Sequence, residues 1–481
     1  MAMEKHYKTY QIWIKNGHRM HSNFKTSCKL AKNIYNTTNF YYRQVYTALT
    51  QIKELQPLQK EVLSTIQDNI GKMNDVQLHA YQKKREIEKL KPVETRKDVK
   101  CNLFKTPTKE NPYVDYNFLD ALFKVIVQND YRSLPVQSSQ GVMKTVFQNW
   151  KSFFESLKEY KINPTKFKGR PRIPGYNRSQ EREVLFTNQD CVVKNNKYLK
   201  FPKTKEQLNI GKLGVVNGKI KQVRVIPKYG QYVVELVVDV PQSKEEMMLN
   251  ERYMSIDIGI DNLATIVTNT GRRPILVKGK NVKSINQYYN KMKAHYLGIL
   301  LKGKKTKEGP FTSNRLEKLY QNRSLKLKDI FHKASYHIVK TAVEECASVI
   351  IVGQNKDWKQ EVNIGKKNNQ SFVHIPHSML ISMITYKAEE YGIRVIVTEE
   401  SYTSKASFLD GDNVPVYEKG KKHSFSGKRM KRGLYRSKEG VLLNADVNGA
   451  SNIMKKAILR MLEKKITINS VQLFHPQTLI V

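Results

Sequence analysis

The sequence predicts a mixed α/β protein with several structural parts: helices and β-strands in the first half and an α/β domain in the second. Three observations lead to this fold class. The chain has 481 residues, more than one hydrophobic core usually serves. Helical spacing of apolar residues gives way to alternation after about residue 160. From about residue 249, strands and helices alternate with connections long enough for parallel crossovers.

The first half opens with a strand, becomes helical and then returns to strands. Residues Tyr7–Ile14 alternate weakly, as an opening strand does. Helical spacing follows over three stretches, Ser27–Leu90, Tyr116–Gln128 and Gln137–Tyr160. In the first of them, Gly71 marks a candidate break. The runs Gln222–Pro227 and Tyr232–Val240 then alternate on either side of a turn, which predicts a β-hairpin. The opening strand and this hairpin are candidates for one module that the helices interrupt.

The second half begins with two adjacent predicted strands, Met254–Ile260 and Leu263–Thr268. The elements predicted after them are helices over Ser284–Leu301 and Asn314–Glu345, a strand over Ala347–Val352, a helix over His377–Tyr391, a strand over Ile393–Thr398 and a helix over Asn448–Leu462. This order of a hairpin followed by alternating helices and strands is that of a ribonuclease-H-like fold.

The charge of the chain indicates a polyanionic partner. Lys and Arg outnumber Asp and Glu by 84 to 43, so the formal net charge is +41. Such an excess repels itself unless a polyanion neutralises it, and nucleic acid rewards Lys and Arg through counterion release. A membrane is disfavoured as the partner because no apolar run approaches the roughly 20 residues of a spanning helix. The N-terminus lacks an apolar signal core, so we expect a cytoplasmic, nucleoid-associated protein.

Two aspartates far apart in the sequence carry the predicted chemistry. Asp257 lies in the middle of the predicted strand Met254–Ile260, and Asp446 comes just before the last predicted helix. A carboxylate in an apolar strand costs desolvation energy unless something binds it, and Mg²⁺ prefers carboxylate and phosphate oxygens. Two such acids and a third would hold two cations about 4 Å apart for an in-line phosphoryl displacement. The alternatives are that Asp257 only hydrogen-bonds its own loop and that Asp446 only caps the helix that follows it.

Three phrases around these residues resemble a known family. The sequences DIGIDNLA (257–264), YTSK (Tyr402–Lys405) and NADVNGASNI (444–453) look like the three-part RuvC nuclease of TnpB proteins. These proteins are transposon-encoded RNA-guided DNA endonucleases related to type V CRISPR effectors. The resemblance covers about Tyr116 to Leu462. It implies a helical recognition lobe inserted in a β-barrel wedge domain, followed by RuvC.

The resemblance also implies ligands and domain bounds. The implied ligands are a guide RNA from a transposon end or a CRISPR locus, a double-stranded DNA target with a short adjacent motif, and Mg²⁺, or Mn²⁺ in its place. Whether the protein is a monomer or a dimer stays open. The domains expected are the wedge at 1–26 and 161–248, the helical lobe at 27–160, and the nuclease at 249–481 with a basic, cysteine-free insertion at 401–440.

The chain departs from the family pattern at two places. Family members usually carry a glutamate after the strand that matches Ala347–Val352, where this chain has Gly353. They also usually carry two CxxC pairs before the last aspartate, where this chain has no cysteine, so we expect no zinc. The next predicted strand, which would run in parallel about 4.8 Å away, is followed by Glu399 and Glu400. Strand alternation lets only one of the two face the metals.

The predicted catalytic and metal-binding residues are therefore Asp257 and Asp446, completed by Glu400 or Glu399. Asp357 and Glu361 are weaker candidates because they lie further along the connection. If no glutamate takes the missing place, the protein is a nuclease-inactive, RNA-guided DNA-binding repressor. A third hypothesis is a guide-free resolvase or ribonuclease-H-type enzyme, although a junction resolvase would not need so large a basic helical part.

Two basic segments are predicted to contact nucleic acid. Phe167–Tyr176 places Lys168, Arg170 and Arg172 among prolines and glycines, as either a phosphate clamp or an ordinary linker. Lys419–Arg436 carries eight Lys and Arg residues and is expected to follow a phosphate backbone, the alternative being a solvated charge run. The residues of this second segment that we assign to nucleic-acid binding are Lys428, Arg429, Lys431, Arg432 and Arg436.

Overall fold

The structure, a computed structural model, divides into two compact units, Met1–Gln242 and Ser243–Val481. The residues that it describes are 6–213, 219–240, 250–305, 308–354, 375–418, 420–431, 433–463 and 468–481. The predicted site residues Asp357, Glu361 and Arg432 lie outside the described residues.

Unit 1 contains two antiparallel sheets. The larger has the strand order β1-β7-β6-β2 and the smaller the order β3-β4-β5. The strands are β1 (His6–Ile14), β2 (Val184–Thr187), β3 (Val192–Lys194), β4 (Tyr198–Lys200), β5 (Gln207–Asn209), β6 (Lys219–Lys228) and β7 (Gln231–Val240). The opening strand pairs along its whole length with β7, from His6 opposite Val240 to Ile14 opposite Tyr232. The two ends of unit 1 in sequence therefore share one sheet.

Between β1 and β2 the described chain is mainly helical. The helices are α1 (His21–Thr50), α2 (Pro57–Lys89), α3 (Tyr116–Val125), α4 (Asn129–Ser133) and α5 (Val136–Ile162). The predicted break at Gly71 is wrong, because α2 continues through it. A helical glycine costs only about 1 kcal/mol, and buried Ile66 and Met73 anchor the helix on either side. The helix predicted to reach Gln128 ends at Val125, since the Gln128 side chain caps α4 instead.

Unit 2 is built on a six-stranded mixed sheet of order β12-β11-β8-β9-β10-β16. Its strands are β8 (Tyr253–Asp257), β9 (Asn262–Thr268), β10 (Ile275–Lys278), β11 (Val349–Gly353), β12 (Arg394–Thr398) and β16 (Gln477–Leu479). Strands β8, β11 and β12 run in parallel, so their carboxyl ends meet at one edge of the sheet. A smaller antiparallel sheet is formed by β13 (Lys428–Lys431), β14 (Leu434–Arg436) and β15 (Leu442–Asn444).

Helices cover both faces of the larger sheet. The helices of unit 2 are α6 (Lys280–Leu300), α7 (Asn314–Glu344), α8 (His377–Glu389) and α9 (Ala445–Leu462). Met254 and Ile256 of β8 belong to one core cluster with residues of α7 and α8. Tyr253 and Ile351 belong to another cluster with residues of α9. The mixed α/β class is thus confirmed, whereas the wedge barrel and the RuvC assignment stay predictions.

Two predicted element bounds were wrong at places that matter for the site. Strand β8 ends at Asp257 and not at Ile260, so Asp257 lies at the sheet edge and not in mid-strand. The chain has to turn back here to begin β9, and a Cβ at Gly259 would lie 2.8 Å from the Asn262 carbonyl oxygen. Helix α9 begins at Ala445, so Asp446 lies in its first turn and not before it.

Asn444 explains the earlier start of α9. Its side-chain oxygen accepts the backbone N–H groups of Asp446 and Val447, at 3.0 and 3.2 Å, and so caps the helix. The cap leaves the carboxylate of Asp446 free for other contacts. Among the described helices, none has both the length and the apolar character needed to cross a membrane.

Candidate active site

The site lies where β8, β11 and β12 end beside the first turns of α9. Asp257, the last residue of β8, is pressed against this helix: a Cβ at Gly449 would lie 2.6 Å from its Oδ2 atom. Burial and the nearby Asp446 carboxylate, opposed by the guanidinium of Arg429, raise the pKa of Asp257 to about 7. A glycine at 449 is therefore required for the helix and the carboxylate to come this close.

Asp446 is held at the start of α9 by polar partners from two directions. Its Oδ2 atom accepts a hydrogen bond of 2.7 Å from the Nδ2 atom of Asn262, the first residue of β9. The Oδ1 atom of Asn262 in turn accepts from Lys278 of β10 at 3.1 Å. On the other side, Nη2 of Arg429 lies 3.5 Å from Oδ1 of Asp446. The macrodipole of α9 adds to this stabilisation, since a carboxylate in the first helical turn is favoured.

Glu400 occupies the space that Gly353 leaves open. A Cβ built on Gly353 would lie 2.8 Å from Oε2 of Glu400 and 2.5 Å from Cδ1 of Ile453. Burial, and then the carboxylates of Asp257 and Glu399, raise the pKa of Glu400 to about 8, against the opposing Lys456 ammonium. The carboxylate of Glu400 therefore lies beside Gly353, the position at which the resemblance leads us to expect a glutamate.

Glu399 takes a different direction. Its Oε2 atom accepts from Nζ of Lys456, and its Oε1 atom accepts the backbone N–H of Ser401 at 2.7 Å. Burial opposes ionisation of Glu399, but the hydrogen bonds from Lys456 and Ser401 lower its pKa. Of the two adjacent glutamates, Glu399 is thus ionised and paired, whereas Glu400 stands next to Asp257.

The donor set suits a hard divalent cation. Asp257, Glu400 and Asp446 offer only carboxylate oxygens, which Mg²⁺ prefers, and Asp257 raises the pKa of Glu400 by a repulsion that a cation would relieve. Over the part of the chain that the structure describes, however, no three acidic, histidine or cysteine side chains stand ready to ligate one ion. The carboxylate of Asp446 is directed at Asn262 and Arg429 instead.

The basic residues of the insertion lie in the small sheet that precedes α9. Lys428, Arg429 and Lys431 are exposed on β13, and Arg436 lies on β14. Arg429 is the residue that reaches the acids.

The rest of the insertion is held by polar contacts. The Oδ2 atom of Asp412 accepts the backbone N–H groups of Ser407 and Ser426, at 2.8 and 3.0 Å. The hydroxyl of Tyr435 donates to the carbonyl of Lys405 at 2.7 Å. These bonds join the two ends of the segment.

The other predicted basic segment lies in unit 1. No helix or strand covers residues 167–178, and the segment is fastened to α1: Nη1 of Arg43 donates to Pro174 O at 2.7 Å, and Asn39 donates to the same oxygen at 3.1 Å. A cavity of about 330 Å³ lies between this loop and helices α1 and α5, with Tyr35, Phe153 and Arg172 among its lining residues. Lys168 and Arg170 are exposed.

Sequence reasoning missed several residues that shape the site. Asn262, Gly449 and Lys456 all contact a predicted acid, yet none was singled out. A signal was present for Lys456: with Asn448 and Asn452 it forms a polar row at four-residue spacing in a predicted helix whose other residues are mostly apolar. No comparable signal marks Asn262, because its partner Asp446 lies far away in the sequence.

Comparison with known protein families finds two matched segments. Residues 231–359 match the family model OrfB_IS605, described as a probable transposase. Residues 377–453 match the model of the Cas12f1-like TNB domain. The TnpB-like protein ORF457 of Acidianus two-tailed virus is 26% identical over 353 residues, which cover 67% of this chain and 73% of that protein. Together these matches support a TnpB-family protein.

Two solved structures were also compared with this chain. A Cas12f1–sgRNA–target DNA complex covers 93% of this chain and 98% of its own, with 12% identity and a TM-score of 0.43. The mini-RNA-guided endonuclease CRISPR-Cas_phi3 covers 97% and 94%, with 10% identity and a TM-score of 0.36. TM-scores of this size are too low to establish a shared fold.

Proposed function

We propose that this TnpB-family protein is an RNA-guided DNA endonuclease. It cuts target DNA by metal-assisted phosphodiester hydrolysis after guide pairing and recognition of a short adjacent motif. The observation that carries the proposal is the Glu400 carboxylate over Gly353, beside Asp257. The family match, the net charge of +41 and the exposed cations of β13 support nucleic acid as the partner. Guide pairing would supply the sequence specificity, and the protein would read backbone shape.

The three carboxylates Asp257, Glu400 and Asp446 would hold the metal ions. Two Mg²⁺ or Mn²⁺ ions, when bound, supply an activated water and stabilise the leaving oxygen. Asn262 orients the carboxylate of Asp446 through the bond to its Oδ2 atom. Arg429 stands where a phosphate of the substrate strand can draw its guanidinium away from Asp446, and that exchange frees a carboxylate oxygen.

The raised pKa values predict how the site depends on pH. Asp257 and Glu400 have pKa values of about 7 and about 8, so both are partly protonated near neutrality. Metal binding needs the ionised forms and therefore releases protons. Cleavage should accordingly rise with pH between about 6 and 9.

The test is an assay of the protein purified with its co-expressed RNA, on matched DNA with Mg²⁺. Asp257→Ala and Glu400→Gln should each lower cleavage by at least about a hundredfold, since each removes a carboxylate ligand. Glu389→Gln is the matched control, because Glu389 is an exposed glutamate at the end of α8 in the same unit. Unchanged cleavage in Glu400→Gln contradicts the assignment, and cleavage without RNA indicates a guide-free enzyme.

A second candidate function is an RNA-guided DNA binder that has lost cleavage. It is favoured by Gly353 in place of the usual glutamate and by the contact of Arg429 with Asp446, which puts a cation of the protein beside an acid. Tight RNA-directed binding of matched DNA with no cleavage, over a range of Mg²⁺ and Mn²⁺ concentrations, would establish this function and exclude the first.

A further inference from the structure

Lys456 is a buried cation on α9. Its surface is 3% exposed, although lysine is almost never fully buried unless it is paired. Its Nζ atom donates to Oε2 of Glu399 and to the backbone carbonyls of Ser401 and Pro415, at 3.0 and 2.9 Å. The ammonium therefore uses all three of its N–H donors on the segment that follows β12.

The contacts of Lys456 determine the direction of Glu399. Both carboxylate oxygens of Glu399 are engaged, one by Lys456 and the other by the backbone N–H of Ser401. Glu399 and Glu400 both follow the end of β12 at Thr398. With Glu399 held against α9, the side chain of Glu400 lies over Gly353.

The same face of α9 holds the next part of this segment. Asn448 and Asn452 precede Lys456 at intervals of four residues, so the three side chains form one row on the helix. The Nδ2 atom of Asn448 donates to the carbonyl of Ala406 at 2.8 Å, and that of Asn452 donates to the carbonyls of Thr403 and Ala406. The backbone that carries Glu400 is thus fixed to the helix that carries Asp446.

We propose that Lys456 is a positioning residue of the candidate site, which holds Glu399 away from the acids and makes Glu400 the carboxylate that joins Asp257. This inference rests on the proposed function, in which Asp257, Glu400 and Asp446 hold the metal ions. The ammonium of Lys456 binds Glu399 and the carbonyls of Ser401 and Pro415, so it acts on the site by fixing the segment that carries Glu400. Removing one partner of a buried ion pair leaves the other charge uncompensated. Without Lys456, the carboxylate of Glu399 would therefore turn to pair with another cation near the site.

The test compares Lys456→Met with the double variant Glu399→Gln/Lys456→Met in the full chain bound to its RNA. Lys456→Met should lower cleavage by about tenfold or more, because Glu399 is released. The double variant should recover most of it, because the competing carboxylate is gone and no charge is left unpaired. Lys455→Met is the matched control, since Lys455 donates from the same helix to the carbonyls of Gly411 and Asp412. It should stay within about threefold of the wild type.

The pH profile separates positioning from a role in folding alone. Lys456 lowers the pKa of Glu400, so its loss should move the acidic limb of the cleavage profile to higher pH. In the double variant the charge of Glu399, which raises the same pKa, is removed as well. Its acidic limb should therefore return toward the wild-type position.

Binding of Mn²⁺ to the metal-free protein, followed by electron paramagnetic resonance, is a readout separate from cleavage. Lys456→Met should weaken Mn²⁺ binding by about fivefold or more, and the double variant should restore it. If the wild type binds Mn²⁺ with this pattern but does not cut, the proposed function fails and the role of Lys456 holds.

Other outcomes overturn the role of Lys456. One is a Lys456→Met variant that binds Mn²⁺ as tightly as the wild type. A second is a Lys456→Met variant whose cleavage rate and acidic limb are unchanged. A third is a wild-type protein that binds no Mn²⁺. In the case of unchanged cleavage, the proposed function still stands.

Discussion

Substitution of Gly353 by alanine tests the relocated carboxylate most directly. The added Cβ would lie 2.8 Å from Oε2 of Glu400 and 2.5 Å from Cδ1 of Ile453. Ordinary contact begins near 3.4 Å, so the glutamate oxygen has to retreat by about 0.6 Å and the isoleucine methyl by about 0.9 Å. Both atoms are ends of flexible side chains, so the strand itself can stay in place.

The two displacements predict different effects on stability and on cleavage. Overpacking costs about 1–3 kcal/mol, and removal of a strand glycine returns about 0.5–1 kcal/mol. A net loss of about 1–2 kcal/mol lowers the melting temperature by about 2–8 °C for a unit of this size. Because misplacement of a catalytic group by about 1 Å can cost a hundredfold, the retreat of Glu400 should lower cleavage by about 10- to 100-fold.

The assay pairs cleavage of matched DNA with thermal unfolding, and two further variants interpret it. Gly71→Ala is the matched control: no atom lies within 4 Å of its added Cβ, so it should raise stability by about 0.5–1 kcal/mol and leave cleavage unchanged. In Gly353→Ala/Ile453→Val the Ile453 methyl is gone but the collision with Glu400 remains, so cleavage should stay low. Full cleavage in Gly353→Ala, or its rescue by Ile453→Val, would refute the reasoning.

Three further predictions concern metal, the insertion and the basic loop. Because the pKa values of Asp257 and Glu400 are raised to about 7 and about 8, their contribution to stability is present below about pH 4 and lost as pH rises through 7 to 8. Mg²⁺ should therefore raise the melting temperature more at pH 8.5 than at pH 6. This difference between the two pH values should be smaller in Asp257→Asn. Asp412→Ala should speed tryptic cleavage of the insertion by several-fold, because it removes the acceptor of two backbone N–H groups. A zinc chelator should leave the rate of tryptic cleavage of the wild type unchanged. Protection of the insertion by added zinc would contradict the expectation that it binds no zinc. The last variants each replace one cation of the 167–176 loop: Lys168→Gln, Arg170→Gln and Arg172→Gln. If the loop is a phosphate clamp, each should reduce the slope of log RNA affinity against log salt concentration by about the value of one phosphate contact. If the loop is a linker, the slope should not change.

Much of the fold follows from local sequence patterns. The alternation of Tyr232–Val240 and the helical spacing of Gln137–Tyr160 each reflect contacts of a residue with its own element, so both elements are where the sequence predicts them. Element ends were less predictable. The end of β8 at Asp257 follows from a turn through Gly259, and the start of α9 follows from the Asn444 cap. Each depends on a few residues and not on a period.

The candidate site divides in the same way. Its candidate acids could be named from the sequence, because Asp257 lies in an apolar predicted strand, Asp446 precedes a predicted helix and the adjacent glutamates follow a predicted strand. The parallel direction of β8 and β12 brings Asp257 and the two glutamates to one edge of the sheet, and the packing of α9 against β8 adds Asp446. The contact of Arg429 with Asp446 could not be predicted, since it depends on how the small sheet packs against α9.

The sequence by itself determined the fold class, the candidate acids and the positive charge that favours a polyanionic partner, because periodicity, residue type and net charge are properties of the chain alone. Only the tertiary structure decided which glutamate stands beside Asp257. The position of Glu399 and Glu400 just after β12 does not say which of the two turns toward Asp257. That direction is set by a lysine on a helix far along the chain and by the space that Gly353 leaves open, and both are contacts that form only when the chain is folded.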